Sequence, residues 1–511
     1  MLVLGKTDCP PMPSSRELYE TYKTTFQEIA DIKYASAVLQ WDQETYLPPK
    51  GSDARGRQIA SLNELAHKLF TKESTGNILY ELMGRDDLGS REKRNVELSL
   101  EDFEKNKKLP SSFVRKMSEA VNKSFHAWIK ARKENSFTLF QEPLDELVNL
   151  KIQEADLLGY SGHPYDALMN DYDKGLTVEF TDNLFNQLIP PLSELLEKIR
   201  QKPQVDNSFL FQHFDKDTQW KYGIELLKQL HYDFEAGRQD ISEHPFTINF
   251  SSRDVRITTR IDERDFSNMT WSCIHECGHA LYEQGLPYDE YGLPLGEYCS
   301  LSIHESQSRL WENAVGRSRE FWIYQYPFLK EYFPQQFKDI SGEQFYAGIN
   351  KVQPSLIRTE ADELTYHLHI YIRYNIEKQL IEKSICAKDL SEIWNNHYKQ
   401  LLGVDVPDDK NGCLQDVHWS HGSFGYFATY SIGSLYAAQL FSAIKKSIPS
   451  VNQMMSTGST SEVLQWLQQH IYPFGRYYNS SDLCRKATGD ILDVNHFLGH
   501  ASEKYKEIYK I

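Results

Sequence analysis

The sequence predicts a mostly α-helical protein, and three observations predict it. Apolar residues recur at spacings of three and four over most of the chain. Many of these stretches are rich in Glu, Lys, Leu and Gln, which favour helix. Prolines and glycines fall mostly between them, where helices start and stop.

In chain order, the helical spacing covers residues 16–40, 54–70, 91–108, 111–134, 140–159, 180–201 and 217–236. It resumes over 302–324, 355–385, 388–402, 431–447 and 461–470. One stretch breaks the pattern: residues 244–261 read HPFTINFSSRDVRITTRI, rich in Thr, Ile, Val and Phe with partial alternation, which suggests a β-hairpin. It runs straight into WSCIHECGHALYEQG, a strong helix. A length of 511 residues alone would suggest about three domains. No internal repeat, low-complexity tract or Gly/Ser linker divides the chain, so one helical unit over 1–511 is the better expectation.

Lys and Arg number 56 against 72 Asp and Glu, a formal charge of −16. Such a chain repels nucleic-acid phosphate and anionic lipid unless its cations cluster. Lys105-Asn106-Lys107-Lys108 and Lys445-Lys446 read as solvated helix faces, so neither nucleic acid nor membrane is expected as a partner. The seven cysteines are sparse and odd in number, unlike a secreted disulfide framework. The opening run Met1–Lys6 has too short an apolar stretch for a signal-peptide core. No segment approaches the ~18 apolar residues that span a bilayer. A soluble, cytoplasmic protein is the expectation.

The most informative residues are His275-Glu276-Cys277-Gly278-His279, an H-E-x-x-H motif. Four residues make about one helical turn, so both imidazoles leave one face and can share a cation. Glu276 lies about 100° around the axis from His275, placed to address a metal-bound water without being a ligand. Gly278 leaves the backbone open to close approach. A catalytic zinc takes a third protein ligand and keeps one open position. Glu305 supplies that ligand, with His304 the competitor about 100° away. Cys273 and Cys277 fall about 200° from the histidines and read as buried, inert thiols. With zinc in place, the metal polarises a scissile carbonyl and acidifies its water, and Glu276 takes the water's proton and passes it to the leaving amine.

The chain resembles the M32 (carboxypeptidase Taq) family of metallocarboxypeptidases over nearly its whole length. The resemblance starts at Trp41-Asp42-Gln43-Glu44-Thr45 and Pro48-Pro49-Lys50-Gly51, and continues at His163-Pro164-Tyr165-Asp166-Ala167-Leu168. The D-x-R-x-T motif falls at Asp254–Thr258, H-E-x-x-H at His275–His279 and H-E-S-Q at His304–Gln307. The I-R-x-x-A-D motif falls at Ile357–Asp362 and G-x-x-Q-D-x-H-W at Gly412–Trp419. Ala428 stands where the family usually has proline.

The resemblance implies a zinc or cobalt enzyme that removes single C-terminal residues from peptides with broad specificity. It implies a helical fold like those of neurolysin and angiotensin-converting enzyme, two lobes flanking a deep central groove, and a homodimer. His275, His279 and Glu305 would bind the metal and Glu276 would be the base. Arg358, with Arg256 as a second candidate, would meet the substrate's free carboxylate, which suits a planar guanidinium fork. A buried pair with Asp362 is the structural alternative for Arg358, and a pair with Asp254 that for Arg256. His418 would donate to the oxyanion, or else simply be oriented by Asp416 in a packed loop. Tyr426 and Tyr430 are further neutral donors. An internally cutting oligopeptidase would use the same metal set but leave the arginine unexplained. A metal-free helical scaffold would leave the intact donor set unexplained.

Overall fold

Helix starts are set by side chains that accept the free backbone N–H groups of a first turn. Ser14 and Glu17 form a capping box that opens the Ser15–Thr45 helix, and Ser341 with Gln344 does the same for Gly342–Ile349. Asp265 caps Phe266–Gln284, the helix that carries H-E-x-x-H, and Ser300 caps Leu301–Arg309, the helix that carries Glu305. The structure, a computed structural model, describes residues 13–511. The opening run Met1–Lys6 and Cys9 lie outside the described residues. Helices dominate, with one small sheet among the described residues. No helix there is long and apolar enough to cross a membrane.

The chain forms two compact units. One holds the described residues up to Lys107 together with Pro287–Glu297; the other holds Lys108–Leu286 and Tyr298–Ile511. In the first, Tyr22, Phe26, Leu79, Leu82, Val96 and Phe103 make a core with Leu293. Asn95 holds the 287–297 excursion there, donating to Glu290 Oε2 at 2.8 Å and accepting from Leu295 N at 3.0 Å. Every candidate site residue belongs to the second unit, whose large core includes Trp311, Trp394, Trp419 and Phe427.

The expected hairpin is present as β2 (Thr247–Ser251) and β3 (Asp254–Thr259), paired antiparallel. The structure adds β1 (Gly237–Ile241), which pairs parallel with β3, so β3 is central and buries Val255 and Ile257. Three helical expectations need correction. The 217–236 stretch is helical only over Lys216–Gln229; His231 has φ of 68°, a left-handed conformation that ends the element. The 302–324 stretch is α over Leu301–Arg309, π over Leu310–Gly316 and α again from Arg319. The apolar spacing does not reveal that change of pitch.

The 355–385 stretch is α-helical only over Tyr366–Ile381, and Arg358 sits on a short 3₁₀ turn, Arg358–Glu360. The reason is Asp362. Its carboxylate accepts from Gln353 N at 3.0 Å and from Leu364 N and Thr365 N at 2.9 Å. Such side-chain to backbone bonds compete with helix.

Candidate metal centre

His275 and His279 project from the same face of Phe266–Gln284, and Glu305 meets them from Leu301–Arg309. Glu305 Oε2 lies 3.5 Å from His279 Nε2 and 3.8 Å from His275 Nε2. One donor atom from each residue falls within 4.8 Å of the others. Ligand bonds of about 2.0–2.2 Å in a tetrahedral zinc set place donors at comparable separations, so two imidazoles and one carboxylate fit a divalent ion there.

Two glycines allow the approach. A Cβ on Gly278 would lie 2.6 Å from Ser308 Cα and 2.7 Å from the Gln307 carbonyl oxygen. A Cβ on Gly433, in the Phe427–Ser447 helix, would lie 2.7 Å from both Cβ and Cγ of Glu305. The Glu305 helix is therefore gripped between two bare backbones.

Charged groups hold the donors in turn. Arg309 Nε donates to Glu305 Oε1 at 2.7 Å, which leaves Oε2 facing the histidines. Arg309 Nη1 also reaches Glu312 Oε2 at 3.2 Å, and Glu312 Oε2 is 2.9 Å from His275 Nδ1. This carboxylate behind a histidine fixes which ring nitrogen faces the site. Glu312 lies on the π-helical turn, a form frequent at functional sites.

Burial alone would raise both carboxyls, yet the Arg309 charge and the histidines hold Glu305 well below the carboxylate range and Glu312 at about 2. Burial and the neighbouring His304 push His279 down to about 3, so it is a neutral ligand type. His275 is also pushed down by burial, but its bond to Glu312 and the Glu305 charge win and raise it.

The rival ligand His304 is committed elsewhere. Its Nε2 pairs with Glu283 Oε1 at 2.8 Å, while its ring stacks on His279 with centroids 4.4 Å apart. Glu276 is buried, and Thr247 donates to its Oε2 at 2.6 Å. Burial raises the Glu276 carboxyl, opposed by the His275 charge and the Thr247 bond. Cys273 and Cys277 are buried free thiols that burial pushes up, Cys273 to about 12, as expected of inert cysteines.

The softer candidates form a second cluster. Arg358 is buried, with Nε donating to Asp416 Oδ1 at 2.9 Å and Nη1 to the Tyr366 hydroxyl at 3.4 Å. Its ion-pair partner is thus Asp416, not Asp362. Asp416 also carries Arg373, whose Nη2 is 2.6 Å from Oδ2. Two buried arginines share one carboxylate, so the cluster keeps a net positive charge. The alternative in which Asp416 orients His418 also needs correction: both its oxygens serve arginines, and His418 pairs with Tyr430, its Nε2 3.1 Å from that hydroxyl. Burial and the Arg358 charge hold His418 at about 3, hence neutral. Tyr426 stacks obliquely on Tyr430 with centroids 5.0 Å apart, and burial with the Glu305 charge raises its phenol to about 12.

Arg256 holds Asp254 bidentately through one edge, Nε and Nη2 each at 2.9 Å, and lies over the Phe250 ring. The motif residues Tyr165 and Trp419 meet at buried Glu377, which Trp419 Nε1 bonds at 2.8 Å, so they anchor the His418 loop. Ala428 lies in the first turn of its helix, where a proline would cost no helical bond.

A helical body with two histidines and a glutamate converging beside a buried carboxylate defines a metal-dependent hydrolase. The family model for carboxypeptidase Taq (M32) metallopeptidases matches residues 21–505. Carboxypeptidase 1 of Bacillus subtilis is 37% identical over 497 residues, covering 96% of this chain and 99% of that protein. Among solved structures, the M32 carboxypeptidase of Deinococcus radiodurans is 36% identical with a TM-score of 0.95, covering 97% of this chain and all (100%) of that one. A solved protein called CHT is 55% identical with a TM-score of 0.94, covering 96% and 99%. The chain belongs to the M32 family of metallocarboxypeptidases, and peptides are its substrate class.

Sequence reasoning did not single out Thr247, Arg309, Glu312, Tyr366 or Arg373. Arg309 had a signal, since it stands four residues after Glu305 and an acid–base pair at that spacing shares a helix face. The others carried none.

Proposed function

We propose that the chain holds one zinc ion, or cobalt, on His275, His279 and Glu305, and removes single C-terminal residues from peptides with broad side-chain tolerance. The convergence of these three donors within 4.8 Å carries the reading. A divalent ion held by these three residues would supply Lewis acidity toward the scissile carbonyl and lower the pKa of water. Glu276 accepts the proton of the attacking water and delivers it to the departing amine, a role that its burial supports. Tyr430, His418 and Tyr426 act as neutral donors to the oxyanion, a role supported by their clustering around the Tyr430 hydroxyl and ring. Arg358 meets the terminal carboxylate, supported by the excess positive charge it and Arg373 hold over Asp416. Arg256 is the weaker carrier, because its Nε–Nη2 edge already holds Asp254.

We read 1–511 as one catalytic domain, supported by a family match that runs from residue 21 to 505. The free thiols fit a reducing cytoplasm, and the resemblance supports a homodimer. A monomeric mass in sedimentation at micromolar concentration would count against the dimer.

An N-acyl dipeptide with a free C-terminus should be cleaved and its amide left intact. Arg358→Ala should lower kcat/KM on the free acid by roughly 10–100-fold, the size of a lost charged hydrogen bond. Equal turnover of acid and amide would favour the internally cutting oligopeptidase. Glu312→Gln removes the charge behind His275 and should weaken metal affinity by about 10–100-fold, read by chelator competition. Unchanged affinity would remove Glu312 from the centre.

A further inference from the structure

The strand β2 faces the H-E-x-x-H helix with two polar side chains. Thr247 and Asn249 are two apart, so they share one face of the strand. Glu276 and Glu283 are seven apart, so they share one face of the helix. The two faces meet in register. Thr247 Oγ1 donates to Glu276 Oε2 at 2.6 Å, and Asn249 Nδ2 donates to Glu283 Oε2 at 2.7 Å. Glu283 Oε1 holds His304, whose ring stacks on His279.

The Thr247 hydroxyl also lies 3.1 Å from Glu276's own carbonyl oxygen. Its single proton goes to the nearer acceptor, Oε2, and this bond ties the side chain to the strand. The strand in turn is fixed by its ladder to β3, where Thr247 stands opposite Ile257 and Asn249 opposite Val255. A glutamate has three rotatable side-chain bonds, so a free carboxylate would spend much of its time misaligned. One oxygen held by a neutral hydroxyl leaves the other for the water.

We propose that Thr247 is a positioning residue for Glu276, holding Oε2 so that Oε1 faces the attacking water; this rests on Glu276 being the base. The Asn249–Glu283 bond keeps the strand seated so that the Thr247 hydroxyl stays in reach.

Thr247→Val keeps the shape and removes the hydroxyl, whereas Thr247→Ser keeps the hydroxyl. Thr247→Val should lower kcat roughly 10-fold, the effect of one hydrogen bond to a charged group, with KM within about twofold. Its metal content and unfolding midpoint should match the parent, and Thr247→Ser should recover most of the rate. In a Glu276→Gln background the further loss from Thr247→Val should vanish, because a residue acting only through that carboxylate has nothing left to position. Two outcomes overturn the proposal: unchanged kcat in Thr247→Val, or the same loss with and without the Glu276 carboxylate. Near-parent activity in Glu276→Gln alone would instead overturn the assignment of the base.

Discussion

Glu276→Gln is expected to bind metal as the parent does and to lose about 10²–10⁴ in rate, the usual size of a general-base effect. The amide keeps the volume and the Thr247 contact but cannot take a proton. The three donors are untouched, since Glu276 is not among the converging set. Metal content by elemental analysis and turnover of an N-acyl dipeptide measure the two halves. Near-parent turnover would sink the role assigned to Glu276. Loss of metal together with activity would place the carboxylate among the ligands instead.

Gly278→Ala is the second large effect. Alanine is the better helix former by about 1 kcal/mol, so local propensity favours the change. Packing opposes it. The new methyl would meet the Ser308 Cα at 2.6 Å and the Gln307 carbonyl at 2.7 Å, and backbone atoms cannot rotate away as a side chain can. The Phe427–Ser447 helix also packs closely on the Glu305 helix, since a Cβ added at Gly433 would lie 2.7 Å from Glu305 Cβ and Cγ.

The expected result is a net destabilisation of about 1–3 kcal/mol, the range for overpacking. Metal affinity should fall by more than about tenfold as Glu305 leaves the histidines. Thermal unfolding with and without metal, and chelator competition, test both. Gly433→Ala should weaken metal binding in the same direction. A Gly278→Ala protein with parent stability and full metal affinity would show that the helices separate freely and that the grip on Glu305 is unimportant.

Much of the site was legible beforehand because its signals are local. H-E-x-x-H needs only one helical turn to bring His275 and His279 together, and the preference for Glu305 over His304 rests on the two-histidine, one-carboxylate set of hydrolytic zinc sites. The helix starts were legible for the same reason, since caps and apolar spacing act within a few residues. The failures were non-local. Strand β1 is a strand because β3 accepts it, the Asp362 carboxylate unwinds a stretch that reads as helix, and the π turn shifts Glu312 onto His275.

Sequence alone settled the mostly helical class, the hairpin, the two-histidine motif and its glutamate, since each depends on contacts within a turn or two. Tertiary structure decided the rest. Asp416 serves Arg358 and Arg373, His418 answers to Tyr430, and a strand hydroxyl steadies Glu276. These partners lie on separate elements and meet only once the chain has packed. A buried charge must be satisfied by whatever group packing brings to it, and one-dimensional spacing carries no record of that choice.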